Sequence, residues 1–257
     1  MITTRITFVL EHDGFAGWQL TELKQLASHF RSIFVFYNIT RSKHAKLTKS
    51  LSMLSLGSCR DDLCQVAIEG LDAELACMVF TEYFREHATL ISASHRPNSR
   101  AESLFASHPA FRLPFDYQWY FLTDSSLETK QQALESLVKA VAKPYQQQEL
   151  LTQILEREAI SSTAIPSGIA LPHVLSDSVN RPTLVVCKLA SELDWEMPVS
   201  LMIGAVLPTK LERPWFLAIT RLTRWLISNG NSEVLLSAER EETIKGILLH
   251  IMARQED

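Results

Sequence analysis

The segment 161–173 reads Ser-Ser-Thr-Ala-Ile-Pro-Ser-Gly-Ile-Ala-Leu-Pro-His. Its glycine and prolines punctuate a short apolar run, which predicts a strand at Ile169–Leu171 followed by a turn. The run ends at Pro172 and a single histidine, His173. A histidine at a strand end, next to a residue with a fixed backbone angle, is more typical of a surface group than of a core residue.

His173 also has the side-chain chemistry that suits such a position. Imidazole is largely neutral near pH 7, so one ring nitrogen keeps a lone pair that can attack an electrophile. Histidine is among the side chains that form covalent intermediates in group transfer. The segment therefore indicates a histidine that could accept a phosphoryl group and pass it on, and a structural histidine at the strand end is the competing interpretation.

The composition is that of a globular chain long enough for two domains. The 257 residues are 46% hydrophobic and 21% charged, and the formal net charge is −4. The basic run 41–49 is short and contains no aromatic residues, so nucleic acid is not an expected partner. The chain contains no glycine-rich phosphate loop of the nucleotide-binding type.

The cysteines and the hydropathy pattern bear on the compartment. Most of the four cysteines lie within apolar runs, and none has the spacing of a zinc site, which predicts buried free thiols. No apolar run is long enough for a membrane span, and no signal peptide opens the chain. We therefore predict a cytoplasmic protein with no direct membrane insertion, no metal site and no cofactor.

Strand and helix periodicities divide the chain into two parts. Residues 1–88 follow the order strand-helix-strand-strand-helix-strand-helix. The periodicity fails over 89–113, which is rich in Pro and Ser and predicts a linker with one short helix near 101–105. A second set of helices and strands occupies 114–257. We therefore predict two α/β (α+β) domains, 1–88 and 114–257, joined by a linker.

The second half resembles the enzyme IIA domain of the fructose/mannitol family in the bacterial sugar phosphotransferase system (PTS). The resemblance runs from about Phe115 to the C-terminus. It rests on the order and spacing of Leu155–Glu158, Gly168–His173, Ser176-Asp177, Asp194-Trp195 and Pro198-Val199. It implies a mixed sheet flanked by helices.

The resemblance also implies the roles of individual residues. His173 is the residue expected to be phosphorylated, and Arg157 is expected to help to hold the phosphate. A planar guanidinium can bind two phosphate oxygens at once, which suits this role. Ser162, Thr163 and Val174 are further phosphate-binding candidates. An i,i+4-type ion pair with a nearby glutamate such as Glu156 or Glu158 is the competing interpretation of Arg157.

Two departures from the family pattern affect this prediction. Family members usually have a glycine directly after the active histidine, where this chain has Val174. Many members also carry a second histidine where Trp215 stands here. A valine is expected to narrow the approach of backbone N–H groups to the phosphate.

The first 88 residues resemble HPr, the small phosphocarrier of the same system. The resemblance rests on Leu54–Gly57, on the strand leading to Gly70 and on the order of the elements. It implies an open-faced antiparallel sandwich. HPr has a histidine and an arginine at the start of its first helix, and Ala16 and Trp18 occupy those positions here. We therefore predict that this domain keeps the fold and lacks the phosphorylatable histidine; His12 is an alternative nucleophile.

Two functions follow from these resemblances. The first is a phosphohistidine carrier, a phosphotransferase component that accepts phosphate from phospho-HPr or an enzyme I/HPr fusion on His173. It would pass the phosphate to an enzyme IIB of a sugar permease. The second is a catalytically impaired regulatory or scaffolding homologue, which Val174, Trp215 and the missing N-terminal histidine favour.

Overall fold

A computed structural model describes residues 2–123, 126–210, 212–228 and 230–254. The chain forms two compact units. The first unit comprises Met1–Leu113 together with Ser237–Asp257, and the second comprises Pro114–Leu236. The predicted domain boundaries differ from this division in that the C-terminal segment belongs to the first unit.

The first unit is built on an antiparallel sheet with the strand order β3-β2-β4-β1-β5. Its strands are β1 (Ile2–Leu10), β2 (Ile33–Asn38), β3 (Lys43–Lys46), β4 (Leu63–Gly70) and β5 (Ala88–Ala93). Its helices are α1 (Gly17–Ala27), α2 (Ser50–Leu54), α3 (Ala73–His87), α4 (Ala101–Ser107) and α9 (Glu241–Ala253), with a 3-10 turn at Pro109–Phe111.

Helices α1 to α3 cover one face of this sheet. Successive strand residues point to opposite faces, so Ile6, Phe8 and Leu10 of β1 lie together in the core beneath these helices. The Phe8 ring stacks on Phe84 of α3 with ring centroids 4.1 Å apart. The antiparallel sandwich that the HPr resemblance predicted is therefore confirmed.

The second face of the sheet is covered by segments outside residues 1–88. Helix α9 packs against β5, α4 and the 3-10 turn, and Gly246 of α9 lies directly over Ile91 and Phe105. The region predicted to be a linker thus supplies an edge strand and a covering layer. Strand β5 (Ala88–Ala93) was not predicted because it directly follows α3, without a turn to mark the start of a new element.

His250 fixes α9 to the sheet through a buried hydrogen-bond chain. Its Nδ1 lies 3.1 Å from the Ala110 carbonyl oxygen, and its Nε2 lies 2.8 Å from Thr40 Oγ1. Thr40 Oγ1 in turn accepts from the Leu63 backbone N–H. Nδ1–H therefore donates to the Ala110 carbonyl oxygen, and the unprotonated Nε2 accepts from the Thr40 hydroxyl. The neutral imidazole thus makes a hydrogen bond with each of its two ring nitrogens. Burial lowers the pKa of His250 to about 4.

The second unit contains a mixed sheet, as predicted. The strand order is β6-β10-β11-β8-β7, and β9 also pairs with β11. The strands are β6 (Gln118–Leu122), β7 (Ala164–Ile165), β8 (Ile169–Ala170), β9 (His173–Leu175), β10 (Thr183–Asp194) and β11 (Pro198–Leu207). The helices are α5 (Lys130–Val141), α6 (Gln147–Ile160), α7 (Arg213–Ile227) and α8 (Asn231–Leu236), with a 3-10 turn at Pro144–Gln146.

The core of the second unit lies between this sheet and helices α5 and α6. Leu134 and Leu137 of α5 pack with Val185 and Met202 of the two long central strands. These strands pair antiparallel with each other, whereas β6, β8 and β9 run parallel to their neighbours. The predicted fold class is therefore confirmed for both halves of the chain.

In the described ranges no helix is both long enough and apolar enough to cross a membrane.

The neutral state of His250 predicts a pH-dependent stability of the first unit. Its pKa falls from 6.5 in the unfolded chain to about 4 in the fold. Between these two pH values the unfolded state binds more protons than the folded state. The stabilisation that the neutral His250 provides is therefore complete above the unfolded-state pKa of 6.5 and is lost as the pH falls toward about 4. Between about pH 7 and about pH 5 the free energy of unfolding should fall by about 2 kcal/mol on this account.

Hydrogen exchange of β1 and β4 amides at both pH values measures this change. His250→Gln should remove most of it, whereas His29→Gln, at an exposed position, should leave it unchanged. An unaltered pH dependence in His250→Gln would contradict the prediction.

Candidate functional site

His173 lies at the start of β9 with its side chain exposed. Strand β9 pairs parallel with the end of β11, with His173 opposite Ala205 and Val174 opposite Val206. Because strand side chains alternate, Val174 turns toward the core and packs against it, and His173 turns outward. The strand that positions His173 was not predicted, because three residues are too few to show a period.

The imidazole of His173 is held in one tautomer. Its Nδ1 lies 2.9 Å from the carbonyl oxygen of Leu171. A carbonyl oxygen only accepts hydrogen bonds, so Nδ1 carries the proton and the neutral ring keeps its lone pair on Nε2. Nε2 is therefore the nitrogen available for nucleophilic attack.

Arg157 of α6 brings a positive charge to that nitrogen. Its Nη2 lies 3.4 Å from His173 Nε2, and its Nη1 donates to the carbonyl oxygen of Ser161 at 3.1 Å. The second interaction holds the guanidinium plane against the end of the helix. The structure thus brings together His173 and Arg157, the two residues that the family resemblance assigned to phosphate transfer.

The competing interpretation of Arg157 does not match the observed contacts. The Glu158 carboxylate is buried and contacts Lys130, Thr163 and Trp195. Within the described part of the chain, the Arg157 guanidinium contacts Ser161 and His173 and pairs with no glutamate.

Glu158 is the centre of a buried polar network behind the site. Lys130 Nζ of α5 lies 2.7 Å from Glu158 Oε2, and the indole Nε1 of Trp195 donates to the same oxygen at 3.0 Å. Thr163 Oγ1 donates to the other carboxylate oxygen. Burial raises the pKa of Glu158, but the hydrogen bonds from Lys130, Thr163 and Trp195 outweigh it and lower the pKa overall.

This network was not recognised from the sequence, although a signal for it was present. Leu150, Ile154 and Glu158 are the buried residues of α6 and recur every four positions. A carboxylate on the apolar face of a helix must find a partner, since burying an unpaired charge is costly.

The remaining candidates lie near the site but have other partners. Ser162 Oγ donates to the Trp195 carbonyl oxygen at 3.2 Å, and Thr163 is buried with its hydroxyl on Glu158. Val174 does not have a positive φ, so its backbone does not require glycine. The Val174 side chain packs against the core, on the opposite side of β9 from the His173 imidazole.

Trp215, which stands where many family members have a second histidine, is a core residue. It is buried in the first turn of α7 and stacks on Phe115 with ring centroids 4.4 Å apart. Its indole Nε1 has no hydrogen-bond partner in the described part of the chain.

The two positions that the HPr resemblance assigns to a histidine and an arginine are occupied by Ala16 and Trp18. Ala16 precedes α1 as its N-cap, and Trp18 is 61% exposed. His12 is exposed in the loop before the helix. Within the described ranges, no group of three or more His, Cys, Asp or Glu side chains is placed to hold a metal ion.

Comparison with known proteins places this chain in a class. Residues 115–251, more than half of the chain, match the family described as "Phosphoenolpyruvate-dependent sugar phosphotransferase system, EIIA 2". The class is that of phosphotransfer carrier domains of the sugar PTS. The chain belongs to the EIIA 2 family. The matched residues 237–251 lie in the first compact unit.

Individual relatives and solved structures are similar to parts of the chain. The fructose-specific EIIA component of Haloferax volcanii is 27% identical over 106 residues, which are 40% of this chain and 69% of the relative. The nitrogen regulatory protein IIA-Ntr of Neisseria meningitidis is 18% identical, covers 50% of this chain and 92% of its own, and has a TM-score of 0.45. The phosphocarrier HPr of Bacillus anthracis is 20% identical, covers 32% and 94%, and has a TM-score of 0.27.

The buried network predicts a stability difference between two neighbouring glutamates of α6. Glu158→Gln removes the charge that pairs with Lys130, and it should lower the free energy of unfolding of the second unit by about 2 kcal/mol. Glu156→Gln, at an exposed position, should change it by less than about 0.5 kcal/mol. Urea unfolding followed by hydrogen exchange of β10 and β11 amides measures both; equal effects would exclude a special role for Glu158.

Proposed function

We propose that the protein is a cytoplasmic phosphohistidine carrier that accepts a phosphoryl group on His173 from phospho-HPr and passes it to an enzyme IIB. The observation that carries this proposal is the geometry of the imidazole. Its Nδ1–H donates to the Leu171 carbonyl oxygen, and its Nε2 lies 3.4 Å from Nη2 of Arg157. A nucleophile and a phosphate-binding cation therefore occupy one exposed site.

The geometry supports a specific transfer step. The Nε2 lone pair of His173 forms a bond to phosphorus while the P–N bond of the donor phosphohistidine breaks, and the donor imidazole leaves with that electron pair. Arg157 offers its Nη2 protons to the phosphoryl oxygens as they arrive. Leu171 keeps the Nδ1 proton in place, so His173 needs no tautomer change before attack.

Apolar side chains beside the site favour docking of protein partners. Leu175 lies two residues after His173 on the same face of β9 and is 50% exposed. Ile160 lies one turn beyond Arg157 on α6 and is 81% exposed. Exposed apolar groups grouped around a polar centre are typical of a protein interaction site.

A regulatory function without useful phosphotransfer is the second candidate. It is favoured by the N-terminal unit, where Ala16 and Trp18 stand in the positions that the HPr resemblance assigns to a histidine and an arginine. The two candidates differ in one measurable property, the formation of phosphohistidine at His173.

The test is phosphorylation of the full chain by phosphoenolpyruvate, enzyme I and HPr. The parent should acquire an acid-labile phosphate that His173→Ala lacks, and nitrogen and phosphorus NMR should place it on Nε2. Phosphate retained in His173→Ala would transfer the role to another histidine such as His12. If the folded parent acquires no phosphate while a control EIIA in the same assay does, the carrier function is excluded and the regulatory function remains.

Arg157 provides a graded test of the same site. Arg157→Gln removes the cation beside Nε2 and should slow phosphorylation by about 10²-fold, the effect of losing one preorganised donor. Arg181→Gln carries the same charge change at an exposed position of the second unit and should keep the parental rate. Equal rates for the parent and Arg157→Gln would contradict the assigned role.

A further inference from the structure

A basic cleft lies in the first unit between α3, β5 and the loop 94–100. It has a volume of about 540 Å³, and the side chains of Arg85, Arg96 and Arg100 line it. Thr89, Asn98 and Ser99 also line it, although the Thr89 hydroxyl already donates to Glu11 and the Asn98 amide group already bonds to the backbone. Among the described residues that line this cleft, none is acidic. This concentration of positive charge is unexpected in a chain whose formal net charge is −4.

The loop that carries two of these arginines is held firmly to the sheet. Asn98 Nδ2 donates to the carbonyl oxygens of Leu90 and Ile91 in the edge strand β5, at 2.9 and 3.0 Å. Asn98 Oδ1 accepts from the Arg100 backbone N–H at 3.1 Å. The Arg96 backbone N–H donates to Ala93. The backbone positions of both arginines are therefore defined before any ligand binds.

The guanidinium groups of the cleft are available to an anion. Arg96 and Arg100 are exposed and form no ion pair with any described residue. Arg85 pairs with Glu82 three residues earlier, but both side chains are largely exposed, and such surface pairs contribute little. A phosphate group can therefore replace Glu82 as the partner of Arg85 at small cost.

Charged groups of both signs surround the cleft. The pKa of His95 is lowered by burial first and then by the charges of Arg96, Arg240 and Arg85, against an opposing effect of Glu82. Glu11 and Glu242 accept hydrogen bonds from Thr89 and from the Asn98 backbone, and neither lines the cleft.

A neighbouring cavity shows why this cleft is the better anion site. It has a volume of about 250 Å³ and contains Arg5 and Arg240, but Glu239 also lines it. Arg5 Nε donates to the Ser237 carbonyl oxygen, and Arg240 donates to Ala93 and Ser94. Several of its donors are therefore already used within the protein.

We propose that the cleft of Arg85, Arg96 and Arg100 binds a small organic molecule that carries two phosphate groups. Guanidinium groups bind phosphate oxygens in pairs, and three of them around one cleft match more charge than a single phosphate supplies. The cleft volume admits a sugar-sized body between the two groups. A nucleic acid is disfavoured because no aromatic side chain lines the cleft.

Such a site gives the N-terminal unit a function separate from phosphotransfer. The loop and helix α4 of the cleft are tied to α9: Arg240 donates to Ser94, and Lys245 pairs with Glu102 at 2.6 Å. A ligand that orders the cleft would therefore also stabilise the packing of α9 on the sheet.

Isothermal titration of the full chain tests this proposal, with glucose 1,6-bisphosphate as the probe and inorganic phosphate and glucose as comparisons. The bisphosphate should bind saturably and at least about tenfold more tightly than inorganic phosphate. The double variant Arg96→Gln/Arg100→Gln should weaken binding by at least about tenfold. Both side chains are exposed, so this variant should fold normally, which its circular dichroism spectrum checks.

Two control variants separate the cleft from other sources of anion binding. Arg31→Gln/Arg60→Gln changes the same charge at exposed positions of the same unit and should leave binding unchanged, as should Arg157→Gln. Absence of saturable binding to the parent would overturn the proposal. Equal weakening in the two double variants, equal affinity for inorganic phosphate, or loss of binding in Arg157→Gln alone would overturn it as well.

Discussion

The buried carboxylate of Glu158 is the constraint on which the candidate site depends. It bonds to Lys130 of α5, to Trp195 directly after β10 and to Thr163 directly before β7. A buried charge is tolerated only with such partners, so these three elements cannot separate without a large cost. Arg157 precedes Glu158 on the same helix. The position of its guanidinium beside the imidazole is therefore a consequence of where Glu158 is buried.

The two units contribute different things to the molecule. The second presents a single exposed histidine whose tautomer is set by a backbone carbonyl oxygen. The first keeps an antiparallel sandwich without a histidine at the start of α1 and covers its second face with α4 and α9. Because α9 closes the first unit, the second unit lies between two parts of it along the chain. Two chain connections, rather than one linker, therefore join the units.

Particular elements show how far the sequence could be interpreted alone. The periodicity of residues 1–88 predicted the order of β1 to β4 and α1 to α3 as the structure has it. The pairing of His173 with Arg157 was also expected, through the family resemblance. Strand β9 was missed because three residues show no period, and β5 was missed because it follows α3 without a turn. The network around Glu158 was not recognised because its partners Lys130 and Trp195 are distant from it in the sequence.

The sequence by itself determined the class of each half, the order of most elements and the prediction that His173 is the reactive histidine. These properties depend on local periods and on motif spacing, which are written along the chain. Only the tertiary structure decided which ring nitrogen of His173 carries no proton and that the Val174 side chain points toward the core. It also decided the position of α9 and the grouping of arginines in the cleft of the first unit. Each of these depends on which distant segments pack together, and burial and hydrogen bonding between such segments have no local signature.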